Sequence, residues 1–416
     1  MGSVSTIKSI HARKIMNSRG EETIEVEVET LGGRGIAAAP AGASKGKYEA
    51  TYYPKGGVDE SIERAEKLVA PRLLGVDADD QEAVDRVLHE VDGTENFSRI
   101  GGNASYAVSI AAAAAAASSH GMPLFRSLGK KASSQLPHPL GNVIGGGKHA
   151  GRGAPDIQEF LALPWRVTTF REAFRAVVKV HRAVGERLER VDPTFTRGRG
   201  DEGAWAPRID NNAALEVVVE AVGAVSAETG VDIRVGLDVA ASSLWMEEKG
   251  VYRYVGEGAS RDWGEQIDYI QGLIEKYKLA YVEDPVHEND FEGFTELTRR
   301  AKGWLICGDD IFVTNADRLR RGIAEKAGNA IIIKPNQIGT VSDTYRTVEL
   351  ADKNGYKTVT SHRSGDTCDS SLAHLAVAFG CPIIKTGVVG GERVAKLNEL
   401  LRIEEALKGR GRLADL

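Results

Sequence analysis

The chain has 416 residues, of which 42% are hydrophobic and 27% are charged, a composition typical of a globular protein. Its length suggests two domains, or a barrel with an additional domain. The net charge of −6 argues against nucleic acid as a main partner, because binding to a phosphate backbone requires a basic surface.

Targeting signals and cysteines indicate the expected compartment. Residues 1–14 lack the apolar core of a secretory signal, and the longest apolar stretch, residues 110–117, is too short to cross a bilayer. We therefore expect no membrane partner. The three cysteines, an odd number without a CxxC pair, fit a reducing cytoplasm better than a disulfide framework.

The first part of the chain predicts a mixed α+β domain. Residues 23–29 alternate strictly between apolar and polar side chains, which indicates a half-buried strand, and residues 36–39 predict a second strand. Helices are expected at residues 60–70 and 80–91 and in the alanine-rich segment near Val108. Because residues 130–139 are rich in polar residues and proline, we divide the chain into domains 1–135 and 136–416.

The second part has the rhythm of an α/β barrel. Short apolar runs alternate with helix-like stretches, and a polar residue closes each run; these residues are Asp238, Glu283, Asp309, Lys334, His362 and Lys385. From Glu283 onward they are 26, 25, 28 and 23 residues apart, close to the roughly 30 residues of one βα unit. The pattern predicts a (β/α)₈ TIM-type barrel with these residues at the C-terminal ends of its strands.

Three of these residues predict a metal site. Asp238, Glu283 and Asp309 would converge at the barrel mouth, where close carboxylates repel one another unless a cation joins them. Hard oxygen ligands favour Mg²⁺ over zinc. The alternative is that each carboxylate forms a salt bridge or caps a helix.

Two lysines are candidates for acid–base or charge-stabilising chemistry. Lys334 ends a very apolar run, and burial beside a cation should lower its pKa and make a neutral amine available as a base. The alternative is a structural lysine that extends to solvent. Lys385 has the same form and the same ambiguity.

Three loops add further candidates. Residues 361–365 place an arginine and two serines together, as a phosphate site requires, although a solvated turn would look the same. The glycine-rich residues 145–151 hold one histidine, His149, which alone is weak evidence. Residues 198–203 fit GxGxxG, but neither a preceding strand nor a following helix supports dinucleotide binding; Glu202 instead is a candidate carboxyl acid.

Taken together, these motifs resemble the enolase family. The matching segments occur in family order and cover nearly the whole chain; they are residues 13–20, 41–44, 146–151, 158–160, 200–203, 237–242, 282–285, 308–310, 334–339, 361–365 and 397–404. The resemblance implies an N-terminal α+β cap domain followed by a modified (β/α)₈ barrel, a homodimer, and conversion of 2-phosphoglycerate to phosphoenolpyruvate.

The resemblance also implies a role for each candidate residue. Two Mg²⁺ ions are expected, the first on the three carboxylates and the second held with help from Ser44 on a lid loop. A Lys base with Mg²⁺ is the pattern of the superfamily, which assigns the base to Lys334. The general acid is Glu202, with Glu159 beside it. The positions that bind substrate or stabilise charge are His149, Gln158, His362, Lys385, Arg363 and Ser364, the last two as a phosphate clamp.

The chain departs from the family pattern around the lid and beside the acid. Ala41 and Lys45 replace a Ser and a Thr of the lid, and Ala204-Trp205 replaces a usual Gly-Phe pair. Because Lys45 adds a cation, one alternative is a paralogue that acts on a more anionic, phosphonate-bearing substrate, as a carboxyphosphonoenolpyruvate synthase does. Another alternative is a non-catalytic structural or binding homologue.

Overall fold

A three-stranded antiparallel sheet packed on helices forms the first part of the computed structural model, which describes residues 3–42, 46–129, 134–300 and 303–416. The strands are β1 (Ile7–Met16), β2 (Glu22–Thr30) and β3 (Arg34–Ala38). The helices are α1 (Gly57–Arg64), α2 (Ala70–Leu73), α3 (Gln81–Asp92), α4 (Gly102–Ser119) and α5 (Leu124–Ser127).

The alternation that predicted β2 is confirmed by its burial. Ile24, Val26 and Val28 are fully buried, and the sheet face that they form packs against the alanine-rich helix α4. The small alanine side chains of α4 let the helix and sheet approach closely. The predicted helix over residues 60–70 is interrupted by a π-helical turn at Ala65–Val69, which separates α1 from α2. This turn lies just before Pro71, which has no amide hydrogen to donate to the helix.

The second part alternates strands and helices. Its strands are β4 (Gln135–Leu136), β5 (His138–Gly145), β6 (Glu159–Arg166), β7 (Asp232–Asp238), β8 (Trp245–Met246), β9 (Val251–Tyr254), β10 (Ala259–Arg261), β11 (Tyr281–Glu283), β12 (Leu305–Gly308), β13 (Ala330–Ile333), β14 (Lys357–Ser361), β15 (Ile383–Lys385) and β16 (Arg412–Leu413). Its helices are α6 (Phe170–Val191), α7 (Asn211–Thr229), α8 (Trp263–Tyr277), α9 (Phe291–Arg300), α10 (Ala316–Glu325), α11 (Pro335–Ile338), α12 (Val341–Lys353), α13 (Ser371–Phe379) and α14 (Gly391–Ala406).

Eight of these strands close into a barrel in the order β11-β12-β13-β14-β15-β5-β6-β7. The predicted barrel is therefore confirmed, and its modification is visible in the strand directions. β6 runs antiparallel to both β5 and β7, whereas the other neighbouring pairs are parallel. Residues from several strands fill the interior, among them Leu161, Tyr281, Ile332 and Ile383.

Local signals fix where the helices begin. Thr169 and Glu172 form a reciprocal capping box at the start of α6, and Asp262 with Glu265 does the same for α8. These caps satisfy backbone N–H groups that would otherwise lack partners. Among the described residues, the helices lack the combination of length and apolar character that a bilayer span requires.

The first part lies over the barrel mouth. Ala41 and Gly365 exchange two backbone hydrogen bonds of 2.7 and 2.8 Å, and His89 on α3 lies 2.7 Å from the Asp343 carboxylate on α12. Because Ala41 uses only its backbone in this contact, the replacement of serine at this lid position leaves the bridge intact.

Candidate active site

Strand register brings carboxylates from three strands into one row. Glu159 on β6 lies opposite Asp238 on β7, and Asp238 lies beside Glu283 on β11. Because β6 runs antiparallel to β7, its first residue reaches the same barrel end as the last residue of β7. The six polar residues predicted at strand ends all lie at or directly after the end of a barrel strand.

Lys385 is buried among these carboxylates. Its Nζ atom lies 2.8 Å from Glu283, 2.9 Å from Asp238 and 3.3 Å from Glu159. Burial alone would lower the pKa of Lys385, but the surrounding carboxylates outweigh burial and raise it well above its usual value. The alternative of a lysine that extends to solvent does not hold, since the side chain is 3% exposed.

Lys334 contacts Asp309 on the opposite side of the mouth. Its Nζ atom donates to Asp309 Oδ2, and Gln337 Nε2 donates to Asp309 Oδ1 at 3.1 Å. Burial favours a lower pKa for Lys334, but the negative charge of Asp309 dominates and raises it. The lowered pKa expected from sequence assumed a cation beside Lys334, and it stays a prediction for that arrangement.

The carboxylates fit a divalent cation. Glu283 Oε1 is buried and lacks a hydrogen-bond partner among the described residues, and burial together with Asp238 raises the pKa of Glu283 to about 8. A cation would satisfy this oxygen and replace the proton. Asp309 belongs to a second acidic group with Asp284 and Asp310, whose ligand oxygens lie within 4.8 Å of one another. A hard-oxygen donor set of this kind suits Mg²⁺.

A second pair of carboxylates lies beside two histidines. His149 Nδ1 is 3.5 Å from Glu159 Oε1 and 3.8 Å from Glu202 Oε1, and His362 Nε2 is 3.3 Å from Glu202 Oε1. Burial and the charge of Glu202 raise the pKa of Glu159. Burial opposes ionisation of Glu202, but its pKa is held below its usual range by His362, His149 and the Arg393 guanidinium. The opposite directions of these two pKa shifts favour a protonated Glu159 and an ionised Glu202.

The backbone that presents Glu202 is tightly constrained. Glu202 adopts a left-handed conformation with φ of 67°. Next to it, a Cβ atom on Gly203 would lie 2.0 Å from the Val389 carbonyl oxygen, and one on Gly200 would lie 2.0 Å from that of His149. Only glycine fits at both positions, which explains why the acidic residue stands between glycines.

The predicted phosphate side contains a buried arginine. Arg363 donates to both carboxylate oxygens of Glu49, at 3.0 and 3.1 Å, and to Asn336 Oδ1 at 3.0 Å. Ser364 follows it and lines the same cavity. Glu49 belongs to the first part of the chain, so the cap supplies the counter-charge of this arginine.

One cavity of about 150 Å³ is lined by most of these groups, although Glu283 is not among its lining residues. The predicted site residues that line it are His149, Gln158, Glu159, Glu202, Asp238, Asp309, Lys334, His362, Arg363, Ser364 and Lys385. Gln158 also lies 3.4 Å from Asp238 Oδ2. Ser44 and Lys45 lie outside the described residues.

Two residues of the site were missed from sequence. Glu49 lies in the cap, and Arg393 lies on α14, where it contacts His362 and the 361–365 loop. Both act through contacts between segments far apart in the chain. No local motif marks either of them in the sequence.

Comparison with known proteins agrees with this architecture. Residues 7–128 match the family model described as the enolase N-terminal domain, and residues 133–415 match that of the enolase C-terminal TIM barrel domain. An enolase of Methanosphaera stadtmanae is 54% identical over 404 residues, covering 97% of this chain and 98% of that protein. Enolases of Methanothermobacter thermautotrophicus and Pyrobaculum aerophilum are 53% and 49% identical, covering 99% and 95% of both chains in each case.

These matches take in both parts of the chain and nearly all of its length. They agree with the order of the motifs, with the cap and barrel, and with the row of carboxylates at the barrel mouth. The chain belongs to the enolase family.

Proposed function

We propose that this chain converts 2-phosphoglycerate to phosphoenolpyruvate and water. The observation that carries the proposal is the cavity in which Lys334, the Glu159–Glu202 pair and the carboxylates Asp238 and Asp309 meet. The reaction needs a base for the α-proton, an acid for the departing β-hydroxyl, and positive charge near the substrate carboxylate. The lining of the cavity offers a candidate for each requirement.

The base is Lys334. In its neutral form, Nζ accepts the proton from the carbon next to the substrate carboxylate. The electron pair left on that carbon forms the new C=C bond as the C–O bond to the β-hydroxyl breaks. Proton transfer thus leaves a protonated lysine, which the adjacent Asp309 carboxylate stabilises.

Mg²⁺ would be held by Asp238, Glu283 and Asp309, with Ser44 assisting at a second ion. When bound, Mg²⁺ would supply positive charge near the substrate carboxylate and, by drawing on the charge of Asp309, would favour the neutral amine of Lys334. Lys385 contributes a further buried positive charge beside Asp238 and Glu283.

The acid is the Glu159–Glu202 pair, with the final donation assigned to Glu202. The raised pKa of Glu159 keeps a proton within the pair, and His149 lies between the two carboxyl groups. Transfer of that proton to the departing hydroxyl releases water and leaves a carboxylate. His362 Nε2 lies 3.3 Å from Glu202 Oε1, close enough to stabilise that carboxylate electrostatically.

The phosphate is bound by Arg363 and Ser364, with Gln158 and His362 nearby. Arg363 offers a planar fork that matches phosphate geometry. Both Nη atoms of that fork pair with Glu49 in the structure, so phosphate binding requires Glu49 to release part of the guanidinium. The ligand of the site is accordingly a small phosphorylated carboxylate.

The phosphonate-active alternative receives no support from the comparisons, since the full-length relatives at 53–54% identity are named enolases. The non-catalytic alternative would be favoured by loss of the base or of a metal ligand, and Lys334, Asp238, Glu283 and Asp309 are all retained. A single function, the dehydration of 2-phosphoglycerate, therefore remains the proposal.

We also propose a homodimer in the cytoplasm, with the division into domains 1–135 and 136–416. Met16 and Ile36, 63% and 40% exposed, line one open depression between cap and barrel and supply an apolar surface for a second copy. None of the three cysteines, all within the described part of the chain, forms a disulfide, which suits a reducing compartment.

The test follows formation of phosphoenolpyruvate from 2-phosphoglycerate by ultraviolet absorbance in the presence of Mg²⁺. Lys334→Ala should lower kcat by about 10³-fold or more while leaving the fold unchanged. Lys179→Ala, a partly exposed lysine of α6 that pairs with Glu228, is the matched control and should retain full activity. Folded, Mg²⁺-binding protein without turnover would reject the proposal and direct attention to phosphonate-bearing substrates.

A further inference from the structure

A fully buried arginine on α14 contacts the proposed acid through a histidine. Arg393 has an exposed fraction of 0%, and its Nη1 atom lies 2.7 Å from His362 Nδ1. The same guanidinium donates to the backbone carbonyl oxygens of Arg363 and Ser364, both at 2.6 Å. Its own charge is balanced by Asp366 and Glu392, at 3.5 and 3.1 Å.

This contact determines where the imidazole proton of His362 lies. A guanidinium has N–H donors and no acceptor, so His362 Nδ1 must be the accepting nitrogen. A neutral imidazole that accepts at Nδ1 carries its proton on Nε2. Nε2 lies 3.3 Å from Glu202 Oε1, a carboxylate oxygen that can only accept when ionised.

We propose that Arg393 is a positioning residue that fixes His362 in the neutral Nε2–H tautomer and directs this proton toward Glu202. The inference rests on the proposed function for its catalytic consequence. Arg393 acts through His362 and does not itself reach the substrate cavity, whose lining includes His362 and Glu202.

The charges around His362 support the neutral form. Burial lowers the pKa of His362 to about 4, against the opposing effect of the Glu202 carboxylate, and the Arg393 charge adds to the lowering. A protonated ring would direct its Nδ1–H at the guanidinium, where two donors would face each other. Asp366, which would favour the charged ring, is engaged by Lys396 at 3.0 Å.

The catalytic consequence concerns the moment at which the β-hydroxyl leaves. The proton of the Glu159–Glu202 pair passes through Glu202 to the departing oxygen, which leaves as water, and Glu202 returns to its carboxylate form. The Nε2–H group of His362, 3.3 Å from Glu202 Oε1, then stabilises the new negative charge electrostatically. In the opposite tautomer a lone pair on Nε2 would face that carboxylate and oppose proton donation.

Two features explain why arginine suits this position. The planar guanidinium places one N–H on the imidazole and others on two backbone carbonyl groups at once. It therefore ties the histidine that contacts the acid to the backbone that presents Arg363 and Ser364. Lysine at the same place could supply one of these bonds but would not span all three.

The first test measures the tautomer directly in the wild-type protein. Nitrogen-15 labelling of the nine histidines, with His362 assigned through His362→Gln, reports which ring nitrogen carries hydrogen. At pH 7 we expect protonated Nε2 and unprotonated Nδ1. Protonated Nδ1, or protonation of both nitrogens, would overturn the inference without affecting the proposed reaction.

The second test compares Arg393→Met with the conservative Arg393→Lys. We expect Arg393→Met to mix the two tautomers of His362 and to lower kcat by about 10-fold or more, with a change in KM below about 3-fold. Arg393→Lys should restore the wild-type tautomer and part of kcat. If Arg393→Met keeps both the wild-type tautomer of His362 and the wild-type kcat, the inference is rejected. If Arg393→Met does not fold, the nitrogen-15 spectrum of His362 in the wild-type protein tests the inference instead. Absence of 2-phosphoglycerate turnover in wild-type protein would reject the proposed function alone, because the tautomer is measured independently.

Discussion

A glycine on α6 makes room for the tryptophan that this chain carries next to its proposed acid. An ideal Cβ atom at Gly185 would lie 2.9 Å from Cζ2, 3.0 Å from Cε2 and 3.2 Å from Nε1 of Trp205. The indole cannot move aside easily. Its Nε1 donates to the His181 carbonyl oxygen at 2.7 Å, its ring stacks on His181 at 4.6 Å, and Phe195 packs edge-on at 5.7 Å.

The change Gly185→Ala therefore sets two effects against each other. Alanine is favoured over glycine inside a helix by about 1 kcal/mol. Overpacking against a ring held on three sides costs about 1–3 kcal/mol. In wild-type background we expect net destabilisation of up to about 2 kcal/mol. In Trp205→Phe background, where the smaller ring ends short of the contact, the same change should stabilise by about 1 kcal/mol.

Wild type, Gly185→Ala, Trp205→Phe and the double variant form a double-mutant cycle. Urea unfolding of these four proteins, followed by circular dichroism and tryptophan fluorescence, measures the coupling free energy between positions 185 and 205. Gly223→Ala on α7 is the matched control, since a Cβ atom there meets nothing within 4 Å, and it should stabilise the protein. Equal stabilisation by Gly185→Ala and Gly223→Ala would show that the predicted clash with Trp205 is absent. So would additivity within about 0.5 kcal/mol in the cycle with Trp205→Phe.

Two further predictions concern the metal site and the contact between cap and barrel. Glu283→Gln should weaken Mg²⁺ binding by about 10-fold or more, measured by calorimetric titration with MgCl₂, because it removes one charged ligand; unchanged affinity would contradict the ligand assignment. Asp343 raises the pKa of His89, and His89 lowers that of Asp343. The raised pKa of His89 stabilises the folded protein below about pH 6.5, and this stabilisation is lost as pH rises through the pKa of His89 in the folded state. The lowered pKa of Asp343 stabilises the folded protein above about pH 4. His89→Asn should therefore lower the unfolding midpoint more at pH 5.5 than at pH 9; an equal effect at both values would show that the charge of the pair contributes nothing.

The strand ends of the barrel could be predicted because their signals are local. Apolar runs closed by Glu283, Asp309, Lys334, His362 and Lys385 recur at the spacing of a βα unit, and the structure places each of these residues at or directly after a strand end. The spacing pattern did not predict strands β5 and β6. They pair antiparallel and therefore break the repeat of strand, helix and strand on which the prediction depended.

The electrostatic state of the site depended on the tertiary structure. The apolar run before Lys334 predicted burial beside a cation, but only the fold shows that Asp309, 25 positions away, contacts this lysine and raises its pKa. Arg393 and His362 are 31 positions apart, and Glu49 and Arg363 are 314 apart. Sequence patterns report periodicity and residue type over a short range, whereas the energy of a buried charge depends on which groups lie within a few ångströms and on the exclusion of water around them. Local sequence patterns were sufficient to predict the family, the barrel and the candidate residues, whereas the pairing of charges and the accepting nitrogen of His362 depend on contacts that form only in the folded chain.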